Sequence, residues 1–260
     1  MRRAKLRLAI ELILLLCLLS GAAIFRAWTP EEQSTARPLP TGFLVRSCEA
    51  SSGDDARYAL FVPPDHDPTR PYPLIVFLHG YGDRGNDGRR HLRVGLGRAI
   101  RDGLRKGQHF DFLAVFPHGR SGSWVENSDD HELVLAVLDD VEQHYAVDRR
   151  RIYLTGLSGG GTGTWQLAAA HPELWAAIVP VCGSADPASA AVIKHIPCWC
   201  FHGSADRIVP VKNPRAMIAR LQDECGTPRY TEYPGLGHGI WDNVYYSAEL
   251  YDWLLQQHQE

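Results

Sequence analysis

The stretch Gly156-Leu157-Ser158-Gly159-Gly160 constrains this chain more than any other feature. It is a G-x-S-x-G sequence set between an apolar run, Ile152–Thr155, and a helical pattern over 159–170. In that context a strand turns sharply into a helix and presents a serine hydroxyl at the turn. The turn crowds its neighbours, and glycine two before and two after the serine relieves the crowding. Ser158 is therefore the candidate nucleophile. The competing reading is a glycine-rich phosphate loop, but no Lys stands between Gly156 and Thr164, where such a loop needs one.

A serine at a strand end implies a sheet, and the rest of the chain supplies one. Eight short apolar runs bounded by Gly, Pro or Asp read as strands: Phe43–Arg46, Tyr58–Val62, Leu74–Leu78, Phe112–Phe116, Ile152–Thr155, Ala177–Val181, Trp199–Phe201 and Tyr230–Tyr233. The first two flank a polar turn at Ser51-Ser52-Gly53-Asp54 and are expected to form a hairpin. Helical patterns separate the later ones, so parallel pairing should dominate from the third onward. Helical periodicity is clearest at Leu133, Val134, Val137, Leu138 and Val141, with Asp129 and Asp130 as candidate caps. Further helices are expected at about 92–105, 159–170, 213–224 and 247–257. The fold class is α/β, an eight-stranded, mostly parallel sheet flanked by helices. Such sheets bind ligands beyond the carboxyl ends of their strands.

A serine hydroxyl needs a base to take its proton, and the base needs an acid to fix its tautomer. The seventh strand run is followed by His202-Gly203-Ser204-Ala205-Asp206, and the eighth by Gly235-Leu236-Gly237-His238-Gly239. Asp206 and His238 thus complete the chain order Ser, Asp, His. Each has a plainer reading, Asp206 as a helix cap and His238 as a hydrogen-bonded loop residue. Three separate strand ends that supply the three required residue types outweigh those readings. Asp242 is a rival acid on the loop of His238, and His79, His118, His202 and Asp83 are weaker candidates. Amide donors for an oxyanion are expected at Gly159, directly after the nucleophile, and at Tyr81, which follows His79-Gly80. The stretch Gly80–Gly85 also satisfies G-x-G-x-x-G, but Asn86, Asp87 and Gly88 continue the loop where a dinucleotide site needs a helix. Trp124, Trp241 and Tyr81 are candidate walls of a substrate site, with core packing or loop anchoring as the alternative.

With 45% hydrophobic and 22% charged residues in 260, the chain can bury a core. Lys+Arg number 27 against 30 Asp+Glu, and no basic run follows the first residues. A nucleic-acid partner therefore has no electrostatic footprint. Arg2, Arg3, Lys5 and Arg7 precede an apolar stretch from Leu8 to Phe25 that ends in small residues, Ser20 to Ala23. Residues 1–27 read either as a cleaved signal peptide or as an N-terminal membrane anchor, and both send the remainder outward. Residues 28–41, with Pro30, Pro38 and Pro40, read as a linker, and 42–260 as the catalytic domain. Cys198 and Cys200 alternate within a strand-like run and read as buried thiols rather than bridges. No cysteine or histidine spacing matches a zinc site, so neither metal nor other cofactor is expected.

At these residues the chain resembles the α/β-hydrolase superfamily. Within it the likeness is to extracellular esterases that include feruloyl esterases, polyhydroxybutyrate depolymerases and the phospholipase/carboxylesterase-like proteins often labelled predicted peptidases. The stretches that carry the likeness are Pro73 to Gly85, Arg151 to Trp165, His171-Pro172 with Ala177 to Gly183, Pro197 to Pro210, and Tyr233 to Tyr245. The likeness as a whole covers about residues 42–257. The resemblance implies an α/β-hydrolase fold and a serine esterase working through an acyl-Ser158 intermediate, with His238 as base and Asp206 as its orienting acid. One departure is Gly159-Gly160-Gly161, where relatives often carry larger side chains. Only Gly183 to Ile196 separates the sixth and seventh strand runs. No large lid domain is expected, and with it a preference for short-acyl or aromatic esters, free or linked to a polymer. Two other readings stay open: a serine peptidase of the same fold, and a catalytically silent exported binding module.

Overall fold

The computed structural model describes residues 40–49 and 55–260. The leader read at 1–27, most of the linker and the hairpin turn at 51–54 lie outside the described residues. The eight expected strands form as β1 Gly42–Glu49, β2 Asp55–Val62, β3 Tyr72–Leu78, β4 Leu113–Pro117, β5 Val147–Leu157, β6 Ala177–Val181, β7 Trp199–Gly203 and β8 Arg229–Tyr233. They make one sheet in the order β1-β2-β4-β3-β5-β6-β7-β8. β2 pairs antiparallel with β1 and with β4, and every other neighbouring pair is parallel. Several strands outrun their apolar runs, because ladder hydrogen bonds continue where burial stops. β5, for example, carries exposed Arg149 and Arg150 before it reaches Ile152.

The central strands are apolar without alternation because both sheet faces are covered. All of β3 is buried, with Leu74, Val76 and Leu78 on one face and Ile75 and Phe77 on the other. The first face packs against helices α2 (Asp129–His144), α3 (Gly159–Ala170) and α5 (Lys212–Asp223) through Leu133, Val137, Trp165, Met217 and Leu221. The second packs against α1 (Gly95–Arg105), α6 (Trp241–Tyr245) and α7 (Ala248–Gln256) through Leu96, Ile100, Val244, Tyr251 and Leu254. A short helix, α4 (Ala190–Ile193), follows a single 3-10 turn between β6 and β7, and no large lid is present there. Helices α4 and α6 escaped the sequence reading because four or five residues cannot display a 3.6-residue period.

The cap of α2 corrects an expectation. Ser128, not Asp129 or Asp130, is its N-cap, and its hydroxyl accepts the His131 N–H. Asp129 and Asp130 occupy the first turn, where negative charge suits the helix dipole. Cys198 and Cys200 are free, buried thiols two residues apart on one face, and burial pushes both pKa values up. Cys225 is exposed just ahead of β8, at the amino ends of the parallel strands. No helix among the described residues is long and apolar enough to cross a membrane.

Candidate active site

Ser158 lies between β5 and α3 with φ +55° and ψ −116°, a conformation that a side chain rarely adopts. The surrounding glycines explain how the chain tolerates it. A Cβ at Gly160 would fall 2.0 Å from the Leu78 carbonyl oxygen, and one at Gly156 would fall 2.3 Å from the Gly160 oxygen. Any side chain at either position would push β3, β5 and α3 apart.

Loops beyond β7 and β8 bring two further groups to the serine. His238 Nε2 is 2.8 Å from Ser158 Oγ, and His238 Nδ1 is 2.7 Å from Asp206 Oδ2. A carboxylate oxygen accepts, so Nδ1 carries the proton and Nε2 offers its lone pair to the serine hydroxyl. The Asp206 side chain is fully buried. Burial alone would raise its pKa, but the hydrogen bond from His238 and the amides of Val209 and Ile208 outweigh that and hold it below the usual carboxylate range. Oδ1 accepts both amides, at 2.9 and 2.8 Å. Asp242, the rival acid, instead pairs with Arg98 at 3.3 Å.

On the other side of the serine lie β3, β4 and their loops. Tyr81 begins a 3-10 turn, Tyr81–Asp83, directly after His79-Gly80. A Cβ at Gly159 would lie 3.3 Å from the Tyr81 nitrogen and 3.5 Å from the Gly122 oxygen, and one at Gly80 would lie 3.4 Å from Ser158 Cβ. The amides of Gly159 and Tyr81 therefore border the same small volume beside the serine, and neither has a main-chain acceptor among the described residues. The glycine after the nucleophile keeps that volume open.

The loop after β4 is held by Asp130. This buried carboxylate accepts the amides of Arg120, Ser121 and Gly122 and the Ser121 hydroxyl, at 2.7 to 3.1 Å. Beneath, three buried imidazoles gather. The rings of His91 and His118 stack with centroids 4.2 Å apart, and that of His79 lies 5.5 Å from His118. Burial lowers the pKa of all three, that of His79 to about 4 and that of His91 to about 3. Each is therefore neutral at pH 7.

Two groups of side chains, Asp87 with His91 and His118, and Cys182 with His202 and Asp206, bring potential metal-ligand atoms within 4.8 Å of one another. Most of those atoms are already engaged by the protein. His118 accepts the Gly88 amide on Nδ1 and donates to the Asp83 carbonyl from Nε2. His202 Nε2 donates to the Val209 carbonyl at 2.9 Å and lies 3.2 Å from Asp206 Oδ2. These contacts read as a hydrogen-bonded frame under the site. His202 stands four residues before Asp206, a spacing that could have drawn attention to the pair. Nothing in the sequence signals Asp130 as a loop anchor.

The candidate wall residues part company. Trp124 is buried, its Nε1–H donates to the His79 carbonyl at 3.2 Å, and its side chain fills the space that a Cβ at Gly163 would need. Its expected place as a substrate wall is corrected: it packs the core under the loops. Trp241 is half-buried at the start of α6, edge-on to the His238 ring at 5.8 Å. Tyr81 is 62% exposed, with the Arg84 guanidinium over its ring. One turn along α3 from the serine, Thr162 borders a cavity of about 480 Å³, shared with Glu126, Trp165, Gln166, Ser184 and Asp186 and lined by no Lys or Arg.

Residues 126–199, which include β5, Ser158 and α3, match the model of the prolyl oligopeptidase family. A probable feruloyl esterase C of Aspergillus flavus is 26% identical over 188 residues, 71% of this chain and 67% of that protein. Feruloyl esterase C of Emericella nidulans is 28% identical over 59% of this chain and 56% of its own length. Among solved structures, a thermostable esterase superposes with a TM-score of 0.73 at 35% identity over 84% of this chain. The chain spans only 63% of that esterase's length.

Proposed function

Because the chain has the α/β-hydrolase fold and resembles feruloyl esterases and related esterases, we propose that it is a serine esterase hydrolysing carboxylic esters through an acyl-Ser158 intermediate. The observation that carries this reading is the unbroken hydrogen-bonded line from Ser158 Oγ through His238 to buried Asp206. As Oγ attacks the ester carbonyl carbon, His238 Nε2 takes its proton, and Asp206 accepts from Nδ1 and stabilises the imidazolium that forms. The carbonyl oxygen becomes an oxyanion and receives the N–H groups of Gly159 and Tyr81. The intermediate collapses by breaking the bond to the alcohol oxygen, which leaves with the proton from His238. Water, activated by the same imidazole, then hydrolyses the acyl-enzyme.

The absence of a large lid between β6 and β7 supports substrates that reach an open site: esters of short or aromatic acids, free or displayed on a polymer. Tyr81 and Trp241 are the wall residues in this reading, and the cavity without Lys or Arg favours an uncharged or cationic group over an anionic one. The leader read at 1–27 makes this an exported enzyme. The test is fluorophosphonate labelling together with turnover of an ester panel. Ser158→Ala should lose both label and turnover with the fold unchanged by circular dichroism; retained turnover would refute the mechanism.

A second reading, peptide-bond cleavage, is favoured by the match of residues 126–199 to the prolyl oligopeptidase family. A matched ester and anilide of one acyl group separate the two, since a peptidase would turn over the anilide at a comparable kcat/KM.

A further inference from the structure

In the acyl-Ser158 reading, proton transfer at the serine falls to side chains, whereas the oxyanion on the β3 side is received by a main-chain amide. A peptide N–H points where its plane lets it, and the plane that carries the Tyr81 N–H also carries the Gly80 carbonyl, directed the opposite way. That carbonyl has two partners: the Asp83 N–H, which closes the 3-10 turn onto it at 3.0 Å, and a side chain. His79 Nδ1 lies 2.9 Å from the Gly80 oxygen. A carbonyl only accepts, so Nδ1 bears the hydrogen and donates, and Nε2 is left as a buried lone pair with no hydrogen-bond partner among the described residues. His79 is itself fixed: it is completely buried, packs edge-to-face on Trp124 at 5.0 Å, and its own carbonyl accepts the Trp124 indole N–H.

We propose that His79 is a positioning residue for the oxyanion donor, with its Nδ1–H bond to the Gly80 carbonyl, added to the turn bond from the Asp83 N–H, holding the 80–81 peptide so that the Tyr81 N–H faces the nucleophile. The same bond polarises the peptide and makes its N–H a stronger donor. Trp124 acts one step further back, by holding His79. This inference rests on the acyl-Ser158 reading above. His79 touches neither substrate nor Ser158, so its effect should be confined to states in which the oxygen carries charge.

The test compares two substitutions of similar volume. His79→Asn keeps an N–H in the position of Nδ1, and His79→Leu does not. With an ester substrate, His79→Leu should lower kcat about 10- to 100-fold, less than the loss of an oxyanion donor itself, with KM within about 2-fold. It should weaken binding of phenylboronic acid, which forms a tetrahedral adduct on serine, by the same factor as kcat. His79→Asn should recover most of both. Equal losses in the two variants, or a fall in kcat without a matching fall in boronate affinity, would overturn the proposal. Should the leucine variant fail to fold, Trp124→Phe decides. It keeps the ring but removes the bond to the His79 carbonyl, and should lower kcat and boronate affinity together by about 2- to 10-fold; an unchanged kcat would refute the proposal. The Ser158→Ala chain, measured alongside, separates the layers. If it is inactive while His79→Leu keeps full kcat, only the role of His79 falls; if it keeps turnover, the site reading falls and this inference with it.

Discussion

In the proposed mechanism the two sides of Ser158 meet opposite electrostatic problems with different materials. On the β7 and β8 side a buried carboxylate, kept ionised by His238 and two amides, faces an imidazole that must become positive. On the β3 and β4 side the charge that develops is negative, yet the groups beneath are three neutral imidazoles, main-chain amides and carbonyls, and the buried carboxylate there, Asp130, is engaged by three loop amides and the Ser121 hydroxyl. A cation can be stabilised by one fixed charge at a distance. An oxyanion held by main-chain dipoles needs each dipole aimed, so that side of the site depends on orientation and the other on charge.

The comparison breaks most easily at Asp206. Replacing it by Asn keeps the shape and removes the charge, and the expected loss in kcat is about 10⁴-fold, with KM little changed. His238→Ala should be more severe and Asp206→Asn should add little to it, because residues acting as one unit lose activity together. A double variant much slower than His238→Ala alone would mean that the acid does not act through the base.

The opposite side should respond in stability more than in charge. Asp130→Ala strands the amides of Arg120, Ser121 and Gly122 and leaves the loop beside Tyr81 and Gly159 unanchored. A cost of roughly 3–5 kcal/mol is expected in urea unfolding, together with lower kcat. A variant of wild-type stability would show that the loop holds without its carboxylate.

The neutral imidazoles set an acid limit. His79 and His91 fold with pKa values of about 4 and about 3, below the ordinary 6.5. As pH falls, the unfolded chain therefore takes up these protons before the folded one does. Their contribution to stability is complete above pH 6.5 and is lost as pH drops toward 4 and below, on the order of 3 kcal/mol for His79 alone. Thermal midpoints from pH 7 to 4 read this directly, and His91→Leu should flatten the curve. A flat wild-type profile would contradict neutral burial of the cluster.

The smallest effect belongs to the rim. Trp241→Ala should raise KM about 2- to 5-fold on hydroxycinnamate esters and less on acetate esters, with kcat nearly constant. An equal change on both substrates would remove Trp241 from the acyl contact.

This division also explains what the sequence could disclose. Strands announce themselves by burial on both faces, as in β3, and the Ser158 turn by glycines that no other residue can replace. Asp206 and His238 follow because strand ends are predictable places for chemistry. The orientation-dependent side left little trace. Bonds such as His79 to Gly80 or Asp130 to the 120–122 amides join side chains to main chain, and main chain carries no residue identity to read. Trp124 is ambiguous in sequence for a related reason: a tryptophan near a strand end can face the cleft or support it, and its burial, its packing on Gly163 and its bond to the His79 carbonyl distinguish the two.

Cys225 is exposed at the amino ends of the strands, whereas every group assigned to the chemistry lies past their carboxyl ends. Cys182, by contrast, is buried, with its thiol pushed up to about 12, Cys198 and Cys200 are sealed in the core, and Cys48 on β1 is half-buried and would be replaced before coupling. A thiol-directed dye, polymer or solid support coupled at Cys225 thus lands on the face remote from the cleft. The molecule can be immobilised there with its mouth turned to the liquid, an orientation that would let the proposed polymer-borne esters be tested as insoluble substrates.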